Sequence, residues 1–250
     1  SALASTNQNI RKVMDDVAQY EVQIRYTQID RKGDSVLFKD FDFQTDKKNY
    51  FYPASTVKFP IAILALSKLS TLEDIDRNSR FYLEGDTVET TFAREIEKIF
   101  AVSDNESYNR LFDFLGQDFI NHELNRIPIG PVRISHRVSV PNSDEITTKP
   151  LIVYQNDSTS TTLPNSVNTT ANPLLLKNIK KGVGYIEEDS LMQGSFDFSL
   201  KNYYPIETQH QFLKTVMFPE LYQLNEKINL TEDQLSFVHQ AMSTLPKNTG

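Results

Sequence analysis

Ser55 and Lys58 are the residues whose types and spacing most directly suggest chemistry. They stand three positions apart at the start of an apolar run, Phe59 to Leu66. Residues at i and i+3 share one face of a helix, so the Ser55 hydroxyl and the Lys58 amine can lie side by side. Such an apolar run is normally buried, and burial lowers the pKa of a lysine until its amine can accept a proton from a hydroxyl. The pattern predicts an activated serine nucleophile. The alternative is a helix N-terminus capped by Ser55, with Lys58 reaching to water.

A second polar group, Ser103-Asp104-Asn105, lies between two predicted helices. The first helix covers Thr91 to Phe100 and the second covers Glu106 to Leu115. Ser, Asp and Asn all cap helix N-termini, so an ordinary cap is one interpretation, and Asp104 is expected to act as the cap in either case. The other interpretation is that the turn between the helices brings Ser103 and Asn105 to an active-site cleft.

The two motifs together resemble a known family. S-x-x-K and S-D-N occur in this order, with K-T-G, in class A β-lactamases and penicillin-binding proteins. The flanking residues agree, namely Phe51 to Ser55 before the first motif and Asn109 to Phe112 after the second. The chain from about Asn7 to Asn125 therefore resembles the class A β-lactamase and penicillin-recognising serine hydrolase family. The resemblance implies an α/β fold of the α+β type, with a helical subdomain beside an antiparallel sheet.

The resemblance also implies a role for each motif residue. Ser55 is the nucleophile and Lys58 is the base that activates it. Ser103 relays a proton to the leaving amine, and Asn105 binds the substrate and the lysine. The implied activity is hydrolysis of a β-lactam amide through an acyl-enzyme, which is the chemistry of antibiotic resistance. The Ser55 backbone N–H, at the start of a helix, is expected to be one oxyanion donor.

Two features of the family pattern are missing. No E-x-x-L-N string occurs, although in the family its glutamate activates the water that deacylates the enzyme. The loop Val138 to Pro150 offers only Asp144 and Glu145 in its place. Glu145 is the candidate deacylation base, and the alternative is that it is a solvated loop carboxylate. No K-T-G motif is found, because Lys247 to Gly250 has an extra residue and no flanking β pattern. Residues 1–250 are thus expected to form a single β-lactamase-like domain that lacks its C-terminal strands, with an incomplete sheet.

These departures leave two other functions open. One is a non-hydrolytic penicillin- or peptidoglycan-binding protein, which is acylated but does not deacylate. The other is a catalytically inactive β-lactamase-fold interaction module. The response to a penicillin separates them, because a persistent adduct indicates a binder, turnover indicates a hydrolase and no reaction indicates an inactive module.

Composition and charge limit the kinds of molecule that the protein is expected to bind. The net charge is −7 without a Lys/Arg cluster, which argues against nucleic acid and anionic membranes. There is no cysteine, the four histidines lack metal-ligand spacing, and no metal or organic cofactor is implied. No apolar run approaches the roughly 18 to 20 residues of a membrane span. The expected partner is a β-lactam or a peptidoglycan-like peptide, and the resemblance implies a periplasmic or secreted protein whose export signal has been removed.

The N-terminal elements are read from periodicity. Residues 6–19 are predicted to be a helix, followed by strands at Tyr20 to Asp30 and Ser35 to Phe43 around a turn at Arg31 to Asp34. Without further strands, this pair is expected to expose an unpaired edge and an apolar face. Self-association, or cover from another part of the chain, is then expected. Residues 70–90 are predicted to be polar and irregular.

The second half of the chain is expected to begin with an insertion, Leu151 to Tyr204. Within it, Asn156 to Asn172 is predicted to be a surface loop, and Lys177 to Glu188 a strand pair that turns at residues 181–184. Two helices follow. One covers Ile206 to Met217, and the other begins at the capping box of Thr231 and runs to about Thr244.

Overall fold

The described part of the chain, residues 2–33, 35–187 and 189–248 of a computed structural model, is of the mixed α+β class. It contains seven α-helices, and its sheets are antiparallel, which confirms the predicted α+β class. The chain divides into two compact units, Ser1–Lys47 and Lys48–Gly250.

The elements are numbered in chain order. The α-helices are α1 Gln8–Met14, α2 Lys58–Leu69, α3 Phe92–Val102, α4 Asn105–Leu115, α5 Gln117–Arg126, α6 Ile206–Met217 and α7 Glu232–Ser243. The strands are β1 Ile24–Lys32, β2 Ser35–Phe43, β3 Arg80–Leu83, β4 Thr90–Thr91, β5 Leu151–Tyr154, β6 Ser160–Leu163, β7 Lys180–Lys181, β8 Gly184–Glu187, β9 Ser190–Gln193 and β10 Phe196–Asp197. Short 3-10 turns lie at Ala2–Ala4, Ala54–Val57, Pro219–Leu221 and Pro246–Asn248.

The first unit holds α1 and the hairpin of β1 and β2. The helix predicted over residues 6–19 is shorter than expected: it ends at Met14, and turns follow. None of its residues is buried, and a short helix without packing is marginal in water. The bounds of β2 are as predicted, whereas β1 begins at Ile24 rather than Tyr20. Of the predicted turn, Asp34 lies outside the described residues.

The hairpin pairs Ile24 with Phe43 at one end and Lys32 with Ser35 at the other. Within the described chain this is a two-stranded sheet. Tyr26 and Phe41 face each other across it with ring centroids 6.0 Å apart, and they are 60% and 45% exposed. Both rings are therefore largely accessible to solvent, and the expected cover of this face, by another part of the chain or by self-association, stays a prediction.

The second unit is built around α2. Its residues Ile61 to Leu66 are fully buried, and the helix packs against α3, α4 and α5. A helix that is apolar on all sides belongs inside a core, because no face of it is stable in water. The α7 helix is tied to the same core, since Gln234 of its capping box donates to the Leu66 carbonyl at 2.7 Å. The predicted capping box at Thr231 and the predicted bounds of α6 are both confirmed.

A four-stranded sheet in the order β4-β3-β5-β6 lies in the second unit. The prediction that residues 70–90 are irregular was wrong, because β3 and the first residue of β4 lie there. Phe81 and Leu83 alternate into the core, and the Phe81 ring stacks on Phe92 at 4.3 Å. Four residues are too few for alternation to be visible in sequence, so pairing with β5 decides this strand.

The first part of the segment 151–204 forms two strands of this four-stranded sheet. β5 joins β3, and β6 lies inside the run 156–172 that was predicted to be loop, so that prediction was wrong for Ser160–Leu163. Its Ser-Thr-Thr-Leu sequence carries little apolar signal, and the hydrogen bonds of β5 impose the strand. Whether residues 151–204 are an insertion stays a prediction.

The predicted strand pair at residues 177–188 was also wrong in its pairing. Strand β7 pairs with β10, while β8 pairs with β9. Glu188, the last residue of the predicted pair, lies outside the described residues. The turn is therefore not at residues 181–184. A long-range aromatic contact supports the observed arrangement, because the rings of Tyr185 and Phe196 meet at 5.0 Å.

Candidate active site

Ser55 lies in the 3-10 turn Ala54–Val57 that leads into α2. The Lys58 backbone N–H donates to the Ser55 carbonyl, and residues three apart eclipse one another in a 3-10 turn. This geometry places the two side chains on the same side of the chain. The Ser55 side chain is exposed, and its backbone N–H has no acceptor within the described residues, as is normal for the first N–H groups of a helix.

The residue before the serine has an unusual backbone conformation. Ala54 has φ of 45°, in the left-handed region that non-glycine residues seldom occupy. Such a conformation costs about 1 to 3 kcal/mol and is typical of functional sites, where the surrounding structure enforces it. The strain at Ala54 sets the direction in which Ser55 projects from the start of the helix.

Lys58 is the centre of a hydrogen-bonded cluster. Its side chain is buried, with the residue only 2% exposed. Its Nζ donates to the backbone carbonyl of Ser103, to Ser103 Oγ at 3.1 Å and to Asn105 Oδ1 at 2.6 Å. The amine thus joins two of the three polar side chains of the second motif, Ser103 and Asn105. No hydrogen bond joins Ser55 Oγ to Lys58 Nζ in the part of the chain that the structure describes.

The environment of Lys58 lowers its pKa below the ordinary 10.5, and the main cause is burial. The nearby Asp104 carboxylate acts in the opposite direction and is the smaller effect. All three acceptors of the amine are uncharged oxygens, so no carboxylate is hydrogen-bonded to it. A lysine whose pKa is lowered in this way gives up its proton at a lower pH than one in water, so a larger fraction of the amine is neutral and able to act as a base.

The corner between α3 and α4 positions the second motif. Ser103 ends α3 with φ of 54°, again left-handed, and this reverses the chain direction within one residue. Asp104 is the N-cap of α4 and accepts from the Ser107 backbone N–H at 2.7 Å, which confirms the predicted cap. The carboxylate is occupied by the helix end, so Ser103 and Asn105 are the residues left to face Lys58.

Residues that sequence reasoning missed complete the surroundings of the cluster. Asn105 Nδ2 donates to Ser139 Oγ at 3.0 Å. The Asn109 side chain donates to the Val138 carbonyl at 3.0 Å and accepts from the Val138 N–H at 2.9 Å. These bonds attach the loop after residue 136 to α4. Asn109 is a polar residue on a face that is otherwise buried, which could have marked it in the sequence; nothing in the sequence marks Ser139.

A buried ion pair holds the base of the same loop. Arg137 Nε donates to Asp113 Oδ2 at 3.1 Å, and the two side chains are 10% and 4% exposed. Arg137 also donates to the carbonyl oxygens of Glu145 and Thr147. One guanidinium therefore fixes both ends of the segment that carries Ser139 and Glu145.

Glu145 is not part of the Lys58 cluster. Its side chain is exposed and lines a cavity of about 310 Å³ together with Glu106, Asp113 and Arg137. The residues that line this cavity include none of Ser55, Lys58, Ser103 and Asn105. The structure thus joins Lys58, Ser103 and Asn105 directly and places Ser55 one turn from Lys58, whereas Glu145 lines a cavity to which none of these four residues contributes.

Within residues 2–33, 35–187 and 189–248, no group of three or more His, Asp or Glu side chains is placed to hold a metal ion. None of the helices there combines the length and the apolar character needed to cross a bilayer.

Comparison with protein-family models, with curated proteins and with solved structures finds no match to this chain. The family resemblance therefore depends on the two motifs and on the contacts of their side chains.

Proposed function

We propose that this chain is a serine acyl-transfer hydrolase of the penicillin-recognising type, with a β-lactamase-like fold. Ser55 is the nucleophile, Lys58 is its general base, and Ser103 and Asn105 contact the leaving group and the substrate. The observation that carries the proposal is the hydrogen-bonded cluster of Lys58, Ser103 and Asn105 beside an exposed Ser55. A lysine in an ordinary helix would reach water, and a Ser-Asp-Asn sequence that merely capped a helix would not need a buried amine as a partner.

The first chemical step requires Lys58 in its neutral form, which keeps two N–H donors and offers a lone pair to the Ser55 proton. Ser55 Oγ attacks the carbonyl carbon of a cyclic amide, and its proton passes to the neutral Lys58 amine. The C–N bond then breaks while Ser103 gives its hydroxyl proton to the departing nitrogen and receives one from Lys58, so that the protons balance. The Ser55 N–H, which lacks an acceptor in the described chain, is the donor available to the developing oxyanion.

The fate of the acyl-enzyme separates a hydrolase from a penicillin-binding protein. Deacylation requires a base for the attacking water, and no carboxylate is hydrogen-bonded within the cluster of Lys58, Ser103 and Asn105. Glu145 lines a different cavity. These observations favour a second candidate of the same family, a protein that is acylated and releases its product slowly. Peptidoglycan-like peptides would then be the physiological ligands, outside the cytoplasm.

Intact-mass measurement after incubation with benzylpenicillin tests the proposal. We expect an adduct of the mass of the penicillin on the wild type and none on Ser55→Ala. The neighbouring hydroxyl offers a matched control, because Thr56→Val should label like the wild type. An adduct that persists assigns a binding protein, rapid loss of penicillin without an adduct assigns a hydrolase, and labelling that survives Ser55→Ala would refute Ser55 as the nucleophile. No reaction at all would leave the inactive interaction module as the better interpretation.

A further inference from the structure

A cavity of about 550 Å³ lies in the second unit between two polar segments of the chain. We call it the polar groove. One wall is the loop that leads from α2 into β3, and the other is the end of β5 with the turn to β6. The residues that line it include none of the four to which the acyl transfer assigns a role. The polar groove is therefore a separate candidate site.

The composition of the polar groove excludes an apolar ligand. Among the described residues that line it, Ile75 is the only aliphatic one, and it is buried. Carboxylates, amides, a hydroxyl and one guanidinium form the rest of the walls, together with the Tyr154 ring. A lipid or another hydrocarbon chain would remove these groups from water without offering them hydrogen bonds, which costs free energy. The complementary ligand is polar.

The charges of the polar groove are largely neutralised within the protein. Arg80 donates to the Asp157 carboxylate at 3.0 Å. Oδ1 of Asp76 accepts from two backbone N–H groups of its own loop, at 2.8 and 3.0 Å. Asp74 is then the one lining carboxylate without a hydrogen bond or an ion pair in the described chain. A polycation or a polyanion has little to pair with here, so an uncharged ligand fits the groove better.

Three amide side chains line the polar groove, those of Asn78, Gln155 and Asn156. Asn156 Oδ1 accepts from the backbone N–H groups of Ser158 and Thr159 at 2.9 and 3.0 Å, which leaves its Nδ2 as a donor. The amides of the other two take part in no hydrogen bond within the described residues. An amide carries a donor and an acceptor side by side. Two hydroxyl groups on adjacent carbons offer the matching pair, because each hydroxyl both donates and accepts.

Tyr154 gives the polar groove its aromatic surface. The residue is half-buried, so part of its ring faces the groove. Two neighbours hold the ring: the Arg80 guanidinium lies 4.9 Å from its centroid, and the centroid of the Tyr82 ring lies 6.0 Å from it. The C–H groups of a sugar ring form an apolar face that packs on an aromatic ring, while the hydroxyl groups around its rim reach polar neighbours. An aromatic ring beside amides without partners therefore indicates a carbohydrate.

We propose that the polar groove binds a neutral oligosaccharide whose rings carry adjacent free hydroxyl groups, with one ring against Tyr154 and its hydroxyl groups on the amides of Gln155 and Asn156. A glycan that has an acetamido group in place of one of those hydroxyl groups lacks the matching pair, so it is the comparison ligand. This binding does not depend on the acyl transfer at Ser55, and the two are tested separately.

Cellotriose is the probe, because it is uncharged and each of its glucose rings carries adjacent free hydroxyl groups. Its dissociation constant is measured with the full chain by NMR titration of the backbone amide signals. Gln155→Ala should raise that constant about fivefold through loss of a hydrogen-bonding pair, and Tyr154→Ala about tenfold through loss of ring packing. Ser158→Ala is the matched control, because Ser158 lies in the same turn, does not line the groove, and should leave binding unchanged. Tyr154→Phe, which keeps the ring, should bind like the wild type.

Chitotriose, in which an acetamido group replaces one hydroxyl of each pair, should bind about fivefold more weakly than cellotriose, and added salt should leave the binding of cellotriose unchanged. Cellotriose binding that Gln155→Ala weakens and Ser158→Ala does not supports the proposal. Absence of cellotriose binding, equal binding of chitotriose, or binding that both Gln155→Ala and a folded Tyr154→Ala leave unchanged overturns it. Labelling of Ser55 by benzylpenicillin, or its failure, bears only on the proposed function.

Discussion

Protonation of His136 is expected to destabilise the fold in mild acid. Burial lowers the pKa of this histidine from 6.5 to about 4. The hydrogen bond to the Arg137 carbonyl and the Asp144 carboxylate raise the pKa, whereas Lys201 and Arg133 lower it further. The neutral imidazole is therefore the form that the folded chain accommodates.

The pKa difference fixes the sign and the size of the effect. Between pH 6.5 and pH 4 the unfolded chain binds a proton at this position that the folded chain does not, so the free energy of unfolding falls as the pH falls. The loss from this one group is about 2 kcal/mol at pH 5 and about 3 kcal/mol at pH 4. Such a loss is a large share of the free energy of unfolding of a typical domain, which is about 5 to 15 kcal/mol.

Urea unfolding at pH 7 and pH 5 measures the effect in wild type and in His136→Asn. The asparagine can still donate to the Arg137 carbonyl but does not titrate. Although the variant is less stable at pH 7, it should lose about 2 kcal/mol less than the wild type between the two pH values. His122→Asn is the control, because this histidine is 73% exposed, and its acid response should match the wild type. An equal acid loss in wild type and His136→Asn would refute the reasoning.

Three further predictions concern other buried charges. Lys58→Met should lower the rate of Ser55 acylation by about a hundredfold or more, measured by quenched-flow labelling, because the serine loses its base; an unchanged rate in a folded variant would remove Lys58 from that role. Asp113→Asn should reduce the free energy of unfolding, measured by urea titration, by about 3 kcal/mol, since it leaves Arg137 buried without a counter-charge. Asp157→Asn is the control, because it alters an ion pair whose carboxylate is 98% exposed, and it should reduce the same free energy far less. Equal losses in the two variants would contradict the argument. Burial lowers the pKa of Lys68 to about 8, so between pH 8 and pH 10.5 the unfolded chain holds a proton that the folded chain has lost. As the pH increases through that interval, the melting temperature of the wild type should therefore rise relative to that of Lys68→Met. Parallel plots of melting temperature against pH for the two proteins would exclude the pKa shift.

The helical part of the second unit could be predicted from the sequence because its signals are local. The apolar run after Lys58 indicated a buried helix, and Asp104 and Thr231 indicated N-caps. Helix hydrogen bonds join residues four apart, so the pattern and the contacts lie in the same short segment. The same holds for the hairpin of β1 and β2.

The pairing of the short strands could not be predicted in this way. β3 obtains its hydrogen bonds from β5, far along the chain, and β7 obtains them from β10, beyond the β8–β9 pair. β6 pairs with the neighbouring β5, but like the other two it is a segment of two to four residues that carries too little alternation to identify its partner. The loop at Ser139 is a further example, because its place beside Asn105 depends on the Asn109 side chain and on the ion pair of Arg137 with Asp113.

The sequence by itself determined which residue types could do chemistry, and it placed Ser55 one turn from Lys58, since the two lie in one helical segment. Only the tertiary structure decided that the Lys58 amine meets Ser103 and Asn105, that Ser139 supports this cluster, and that Glu145 lies elsewhere. The reason is physical: the position of a side chain on its own helix follows from local geometry, whereas the meeting of two segments 45 residues apart depends on how the whole core packs between them.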